Sequence, residues 1–298
     1  MRDWIDFSSF LKEFFPHDKV QKITLNAGFT CPTRDGSLGK GGCTYCNNKS
    51  FSPAFALHQK SVTAQLDEGV SFFSRKYPHM KYLAYFQSYT NTYGDVAESI
   101  AKYEEALSYP GVVGLIIGTR PDCMPQPLLD YFQELSKKHF LLIEYGVEST
   151  LDKTLDRIQR GHSWHTSCET IEKTHAAGIM TGAHLILGLP GESRVEILSH
   201  AQRISQLPIK TLKLHQLQII KGTLMSKEYE ENPEDFPLFT EEDYIQLCVD
   251  FVSLLREDII IERFVSQSPP SLVIAPHWGL KNYEFTDKIR KRIRESKL

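Results

Sequence analysis

The chain has few cysteines and tryptophans, six and three among 298 residues, and no apolar run approaching the roughly 20 residues that span a bilayer. Charged residues interrupt every hydrophobic segment, so no membrane span is expected. The first residues, Met1-Arg2-Asp3-Trp4-Ile5-Asp6, do not resemble a secretory signal. A reducing, cytoplasmic compartment and free thiols are therefore expected. There is also little excess of charge of either sign: the net charge of −3 argues against wholesale electrostatic capture of nucleic acid, although a local basic patch is compatible with it. There is no internal repeat and no low-complexity tract. What remains is a globular chain long enough to bury a sizeable core, as one large α/β barrel or a barrel with a small appendage.

Three of the six cysteines lie together in a glycine-rich stretch, Cys31, Cys43 and Cys46, with eleven residues in the first gap and two in the second. Three thiolates can hold three corners of a four-iron cluster and leave the fourth iron open to a chelating molecule, whereas a structural site fills every position. A zinc ion completed by His58 uses the same soft ligands and is the alternative. Cys168 and Cys248 fall in helical patterns and read as small buried hydrophobes. Cys123 follows a strand end, where a thiol can pack or donate hydrogen.

Short β-branched runs at 20–25, 82–86, 112–117, 140–147, 180–187 and 211–220 alternate with amphipathic helical stretches at 62–76, 96–108, 127–138, 166–177 and 194–206. Continuous apolar strands alternating with helices predict a parallel sheet covered on both faces. A six-stranded open barrel is the expected architecture, with a doubly wound sheet sharing the local signature. Residues 227–243 are acidic and carry Pro233 and Pro237, which predicts an exposed connection. A helix at 241–255, apolar runs at 259–261 and 272–275, and a basic tail at 288–294 then suggest a small α/β appendage. The expected division is 1–225 for the barrel and 226–298 for the appendage.

Ligand sites in parallel α/β barrels lie at the carboxyl ends of the strands. In this chain those ends read Asn26 to Cys31, Gln87-Ser88-Tyr89-Thr90-Asn91-Thr92, Gly118-Thr119-Arg120-Pro121-Asp122-Cys123, Glu144-Tyr145-Gly146-Val147-Glu148-Ser149 with Arg160-Gly161-His162 beyond, Leu187-Gly188-Leu189-Pro190-Gly191-Glu192, and His215-Gln216 followed by Lys221. Each can be a turn, cap or surface pair alone; together behind the cysteine loop they form a credible site.

These motifs, in this order, resemble the radical S-adenosylmethionine (radical SAM) enzymes related to the catalytic subunit of Elongator and to the oxygen-independent coproporphyrinogen oxidases. The resemblance is strongest to a bacterial subfamily with the same expanded cysteine gap, and it runs from about residue 15 to 225. It implies a partial (β/α)6 barrel of TIM type and no Elongator-type acetyltransferase domain. It implies a 4Fe-4S cluster on Cys31, Cys43 and Cys46, with S-adenosylmethionine chelating the open iron. Tyr45 would lie beside the adenine, Arg160 would pair with the methionine carboxylate, and Glu148, Arg120, Gln87, Ser88 and the Leu187-Gly188 backbone would complete the cofactor contacts. Gly118 and His184 stand where relatives often carry acids. The implied chemistry is reductive cleavage of S-adenosylmethionine to a 5'-deoxyadenosyl radical, with electrons from an external flavodoxin- or ferredoxin-type donor.

The Elongator relationship points to the wobble uridine of transfer RNA, and the bacterial subfamily to the step from a carboxymethylaminomethyl to an aminomethyl group at C5. Lys221, Arg263, His277 and Trp278 are the candidate substrate contacts, and Cys123 the candidate catalytic thiol. A small metabolite or protein side chain is the second substrate class, in line with the coproporphyrinogen oxidases. A non-catalytic zinc or iron-sulfur RNA-binding module is the third reading.

Overall fold

The computed structural model describes residues 4–75, 77 and 79–295. Residues 1–3 and 296–298, at the ends of the two expected domains, and Lys76, at the end of the expected helix 62–76, lie outside the described residues. The strands are β1 (Val20–Leu25), β2 (Lys81–Phe86), β3 (Val112–Thr119), β4 (Phe140–Glu148), β5 (Met180–Leu187), β6 (Thr211–Gln216), β7 (Ile219–Ile220), β8 (Ile260–Arg263) and β9 (Val273–Ala275). The helices are α1 (Phe7–Leu11), α2 (Val62–Ser74), α3 (Val96–Leu107), α4 (Gln126–Ser136), α5 (Asp152–Arg157), α6 (Trp164–Ala176), α7 (Arg194–Ser205), α8 (Leu224–Glu231), α9 (Glu241–Ser253) and α10 (Asn282–Glu295).

β1 to β6 and β8 form one parallel sheet in the order β1-β2-β3-β4-β5-β6-β8, curled into an open half-barrel. The barrel expected from six apolar runs therefore has a seventh strand, because 260–263 pairs alongside β6 in the main sheet. The run at 211–220 is also broken: β6 ends at Gln216, and β7 turns to pair antiparallel with β9. The acidic stretch expected as a loop is half helical, since α8 buries Met225 and ties Glu228 to Arg157 at 2.8 Å.

Local sequence explains why the crossovers are helical. Ser61, Asp95, Ser163, Ser193 and Thr240 each accept a hydrogen bond from the backbone N–H three residues on, satisfying donors that the first helical turn leaves open. Ser193 and Glu196 make a reciprocal capping box.

Alternate strand residues divide between two cores. One set, including Ile23, Phe86, Ile117, Ile143 and Leu185, packs outward beneath the helices. The other, including Leu83, Ile116, Leu142 and Ile260, points into the barrel, where α1 closes the bottom with Phe7, Phe10 and Leu11. Asp6 bridges to Ile261 and holds that plug to the last strand. The first and last strands of the sheet are joined by a side-chain pair, Lys22 Nζ to Glu262 at 2.5 Å.

The basic tail lies on α10, which packs against α9. Its charges are mostly spent there and on the N-terminal segment: Lys288 pairs with Glu241, Arg292 with Glu242, and Arg290 with Asp6. Among the described residues no helix is long and apolar enough to cross a membrane.

Candidate active site

A cleft of about 1150 Å3 including its mouth opens at the carboxyl ends of the barrel strands. β1 runs directly into the cysteine loop, and Cys31, Cys43 and Cys46 all line the cleft. The loop is held by Arg34, whose Nη2 donates to the Cys46 carbonyl at 2.6 Å, and by Gly42, where a Cβ would meet the Arg34 guanidinium at 2.8 Å. All three thiols are free. Burial and the neighbouring Cys43 push the Cys46 thiol up to about 11. Burial also opposes ionisation of Cys31, but hydrogen bonds involving Thr33 and Thr90 outweigh it and hold that thiol below its ordinary value. Among the described residues no three His, Cys, Asp or Glu side chains converge as a single-ion site requires. His58 is exposed and absent from the cleft wall, which disfavours the zinc alternative.

Facing the loop is a wall of fixed arginines. Buried Arg160 donates from Nη2 to the Gly146 carbonyl, approaches Cys43 Sγ at 3.6 Å from Nη1, and lies 3.8 Å from Glu148. Burial opposes its charge, yet Tyr45, Cys43 and Glu148 around it raise its pKa well above the ordinary value. Arg120 grips Asp122 through two hydrogen bonds, 2.9 and 2.8 Å, and donates to the Arg160 carbonyl at 2.7 Å. β4 bulges here: Gly146 sits opposite His184 and Glu148 opposite Leu185, with Glu148 at φ 70°. Bulges of this kind re-aim side chains beside active sites.

The floor carries an ion network that the sequence reading did not assemble, although Glu144 and His184 stood among its residues. Lys213 Nζ lies 2.7 Å from Glu144 and 2.9 Å from Glu262, while Lys22 reaches the same two carboxylates. Glu144 also takes a 3.0 Å hydrogen bond from His184. Burial opposes the Glu144 charge, but Lys213 and Lys22 hold its carboxyl well below the usual range. Burial, joined by Arg263, pushes His215 well below its ordinary value. A signal was present: Lys22, Glu144, Lys213 and Glu262 are charges placed within strands of the sheet.

Of the residues singled out from sequence, the cleft brings together Cys31, Cys43, Cys46, Tyr45, Gln87, Arg120, Glu148, Arg160 and Arg263. Ser88 is buried against Ser52 at 2.9 Å, off the cleft. Leu187 belongs to the core and Gly188 lies under Phe239, while Ile186 reaches the cleft instead. Cys123 is buried off the cleft, its thiol pushed up to about 12 by burial and Asp122. Lys221 is exposed, and its carbonyl accepts from Asn47 at 3.0 Å. His277 is exposed away from the cleft, and Trp278 stacks on Phe285 at 5.7 Å and donates to the Phe239 carbonyl.

Comparison with known proteins gives this geometry a lineage. The chain is 34% identical over 283 residues to the Bacillus subtilis "Uncharacterized protein YtqA", covering 95% of this chain and 87% of that protein. It is 36% identical over 261 residues to the Escherichia coli "Protein YhcC", covering 87% and 82%. A more distant relative, 22% identical over 169 residues, is the "tRNA uridine(34) acetyltransferase" of Methanocaldococcus infernus, with 54% of this chain and 30% of that protein covered. The solved structure of the Methanocaldococcus infernus Elp3 shares the fold with a TM-score of 0.70 at 16% identity, over 94% of this chain and 64% of that one. Residues 209–295 match the Radical_SAM C-terminal domain, and residues 37–204, which include Cys43 and Cys46 while Cys31 precedes them, match the Radical SAM superfamily. The curled parallel sheet is thus shared along with the sequence, and the chain belongs to the radical SAM superfamily, whose members use a 4Fe-4S cluster and S-adenosylmethionine.

Proposed function

We propose that this radical SAM enzyme acts on the wobble uridine of transfer RNA and converts a carboxymethylaminomethyl group at C5 to aminomethyl. The observation that carries the choice of the wobble uridine is the relationship to the tRNA uridine(34) acetyltransferase; the aminomethyl step follows from the resemblance carried by the expanded cysteine gap. The conversion exchanges the bond between the exocyclic nitrogen and the carboxymethyl carbon for an N–H. That carbon would be oxidised by two electrons, with S-adenosylmethionine as the oxidant consumed to methionine and 5'-deoxyadenosine, and one water would release it as glyoxylate.

The residues present fit the cofactor pair. Three free thiols line one cleft, and two guanidinium atoms there, Arg160 Nε and Arg120 Nη1, are buried without partners. Buried donors left open in this way suit an anionic ligand. In this reading Cys31, Cys43 and Cys46 hold the cluster and Arg160 binds the methionine carboxylate. Tyr45 lies beside the adenine, with Gln87, Arg120 and Glu148 as polar contacts. When bound, the pair supplies one-electron reductive cleavage to methionine and a 5'-deoxyadenosyl radical, with an external flavodoxin- or ferredoxin-type protein as electron donor. The chain supplies position and dryness: α1 closes the barrel bottom, and the floor ion network leaves no unpaired carboxylate to draw in water.

The test is nucleoside analysis of transfer RNA from a strain lacking the gene. Carboxymethylaminomethyluridine should accumulate at the expense of its aminomethyl descendants. An unchanged nucleoside profile overturns the reading.

A further inference from the structure

The cleft wall on β6 and β8 holds a cation that, among the described residues, has no counter-ion. Lys22, Lys213, Glu144 and Glu262 balance one another beneath the cleft. Arg263, the last residue of β8, lines the cleft beside His184 and His215. Its Nη2 lies 3.0 Å from His215 Nε2; a guanidinium only donates, so the imidazole accepts and stays neutral. Among the described residues Arg263 makes no ion pair, and its Nε is buried with no partner. The arrangement is built by a register shift: Lys213 faces Arg263 across the strands, and Glu262 is the extra residue that turns to the floor lysines. One strand end therefore supplies an acid to the network and an uncompensated base to the cleft.

A partly buried guanidinium with an open Nε is suited to an anion, and its planar fork matches a carboxylate. We propose that Arg263 binds the carboxylate of the substrate's carboxymethyl group, with His215 as the residue that positions the guanidinium. This rests on the wobble-uridine reading and names the feature by which the site tells substrate from product: the aminomethyl product has no carboxylate and loses this contact. Arg263 and the cofactor-side arginines then divide the two carboxylates, Arg160 taking that of methionine and Arg263 that of the substrate.

The test is equilibrium binding to protein reconstituted with its cluster, with S-adenosylmethionine present and reductant withheld. The probes are 5-carboxymethylaminomethyluridine, its methyl ester and 5-aminomethyluridine, none of which carries a phosphate. Wild type should prefer the free acid over the other two by about ten-fold or more. Arg263→Gln should erase that preference, and Arg263→Lys should keep part of it. No preference in wild type, or a preference that survives Arg263→Gln, overturns the proposal. The ester comparison needs no variant, so a misfolded Arg263→Gln protein leaves the question decidable. Failure of the transfer RNA reading looks different: nucleosides from the deletion strain stay unchanged whatever the free nucleosides do in the binding assay.

Discussion

Gly146→Ala is the most direct perturbation of the cofactor wall. Gly146 is not among the residues with positive φ, so alanine is tolerated by the backbone there. The added Cβ, however, would stand 2.7 Å from Arg160 Nη2 and 2.7 Å from Glu148 Oε1. Both obstacles are side-chain ends, so the strand holds and Arg160 gives way. In doing so it loses the Gly146 carbonyl and its approach to Cys43. A charged hydrogen bond contributes roughly 1.5 to 3 kcal/mol, so S-adenosylmethionine affinity should fall by about ten-fold to more than a hundred-fold. Equilibrium dialysis against reconstituted protein, with iron assayed in the same samples, reads this directly; iron content should stay near wild type because no thiol moves. Gly114→Ala is the control. Its Cβ would run into the Phe140 carbonyl at the closed end of the barrel. That costs about 1 to 3 kcal/mol of stability while the folded fraction binds normally. An unchanged dissociation constant in Gly146→Ala with full iron content would refute the placement of Arg160 against the cofactor.

Replacing Cys31, Cys43 or Cys46 by Ala should each abolish cluster iron and 5'-deoxyadenosine formation under anaerobic reconstitution; full activity with zinc alone would contradict this. Lys213→Met leaves the Glu144 and Glu262 carboxylates short of a buried partner and should cost about 3 to 5 kcal/mol in denaturant titration; an unmoved midpoint would show the network to be electrostatically idle. His162, His184 and His215 are all depressed by burial, His162 to about 3. Below about pH 6.5 the unfolded chain binds protons the native state refuses. Stability is therefore full above that value and declines as pH falls, with Glu144 adding to the loss once pH drops below the usual carboxylate range. His215→Gln should flatten the decline, and a pH-independent melting temperature between 7 and 5, values set by about that histidine pKa, would refute it.

The strand-helix alternation was legible because both periodicities are local. β1 and β5 run over the residues their apolar runs predict, and the capped helices begin within a few residues of theirs. The cysteine loop was legible as part of the cleft because it follows β1 directly, and all three of its cysteines line that cleft. The run at 259–261 was legible, but its place in the main sheet was not: β8 has four residues and its partner, β6, lies some fifty positions earlier. The floor network was hidden for the same reason, since Lys22 and Glu262 are 240 residues apart. Such pairs become visible only once the sheet has curled. Ser88, Gly188 and Lys221 do not line the cleft, because nearness to a strand end does not fix which way a side chain or turn faces.

Glu148 holds a φ of 70° at the β4 bulge, a left-handed backbone that a side chain adopts at a cost of about 1 to 2 kcal/mol. Glycine there would relax the chain and raise the melting temperature, and a screen for thermostable variants would favour it. The same replacement removes the carboxylate beside Arg160. If Glu148 contacts the cofactor as proposed, selection for robustness and selection for cofactor binding pull this one position in opposite directions, and a glutamate kept at so unfavourable a torsion in related chains would mark which pressure prevailed.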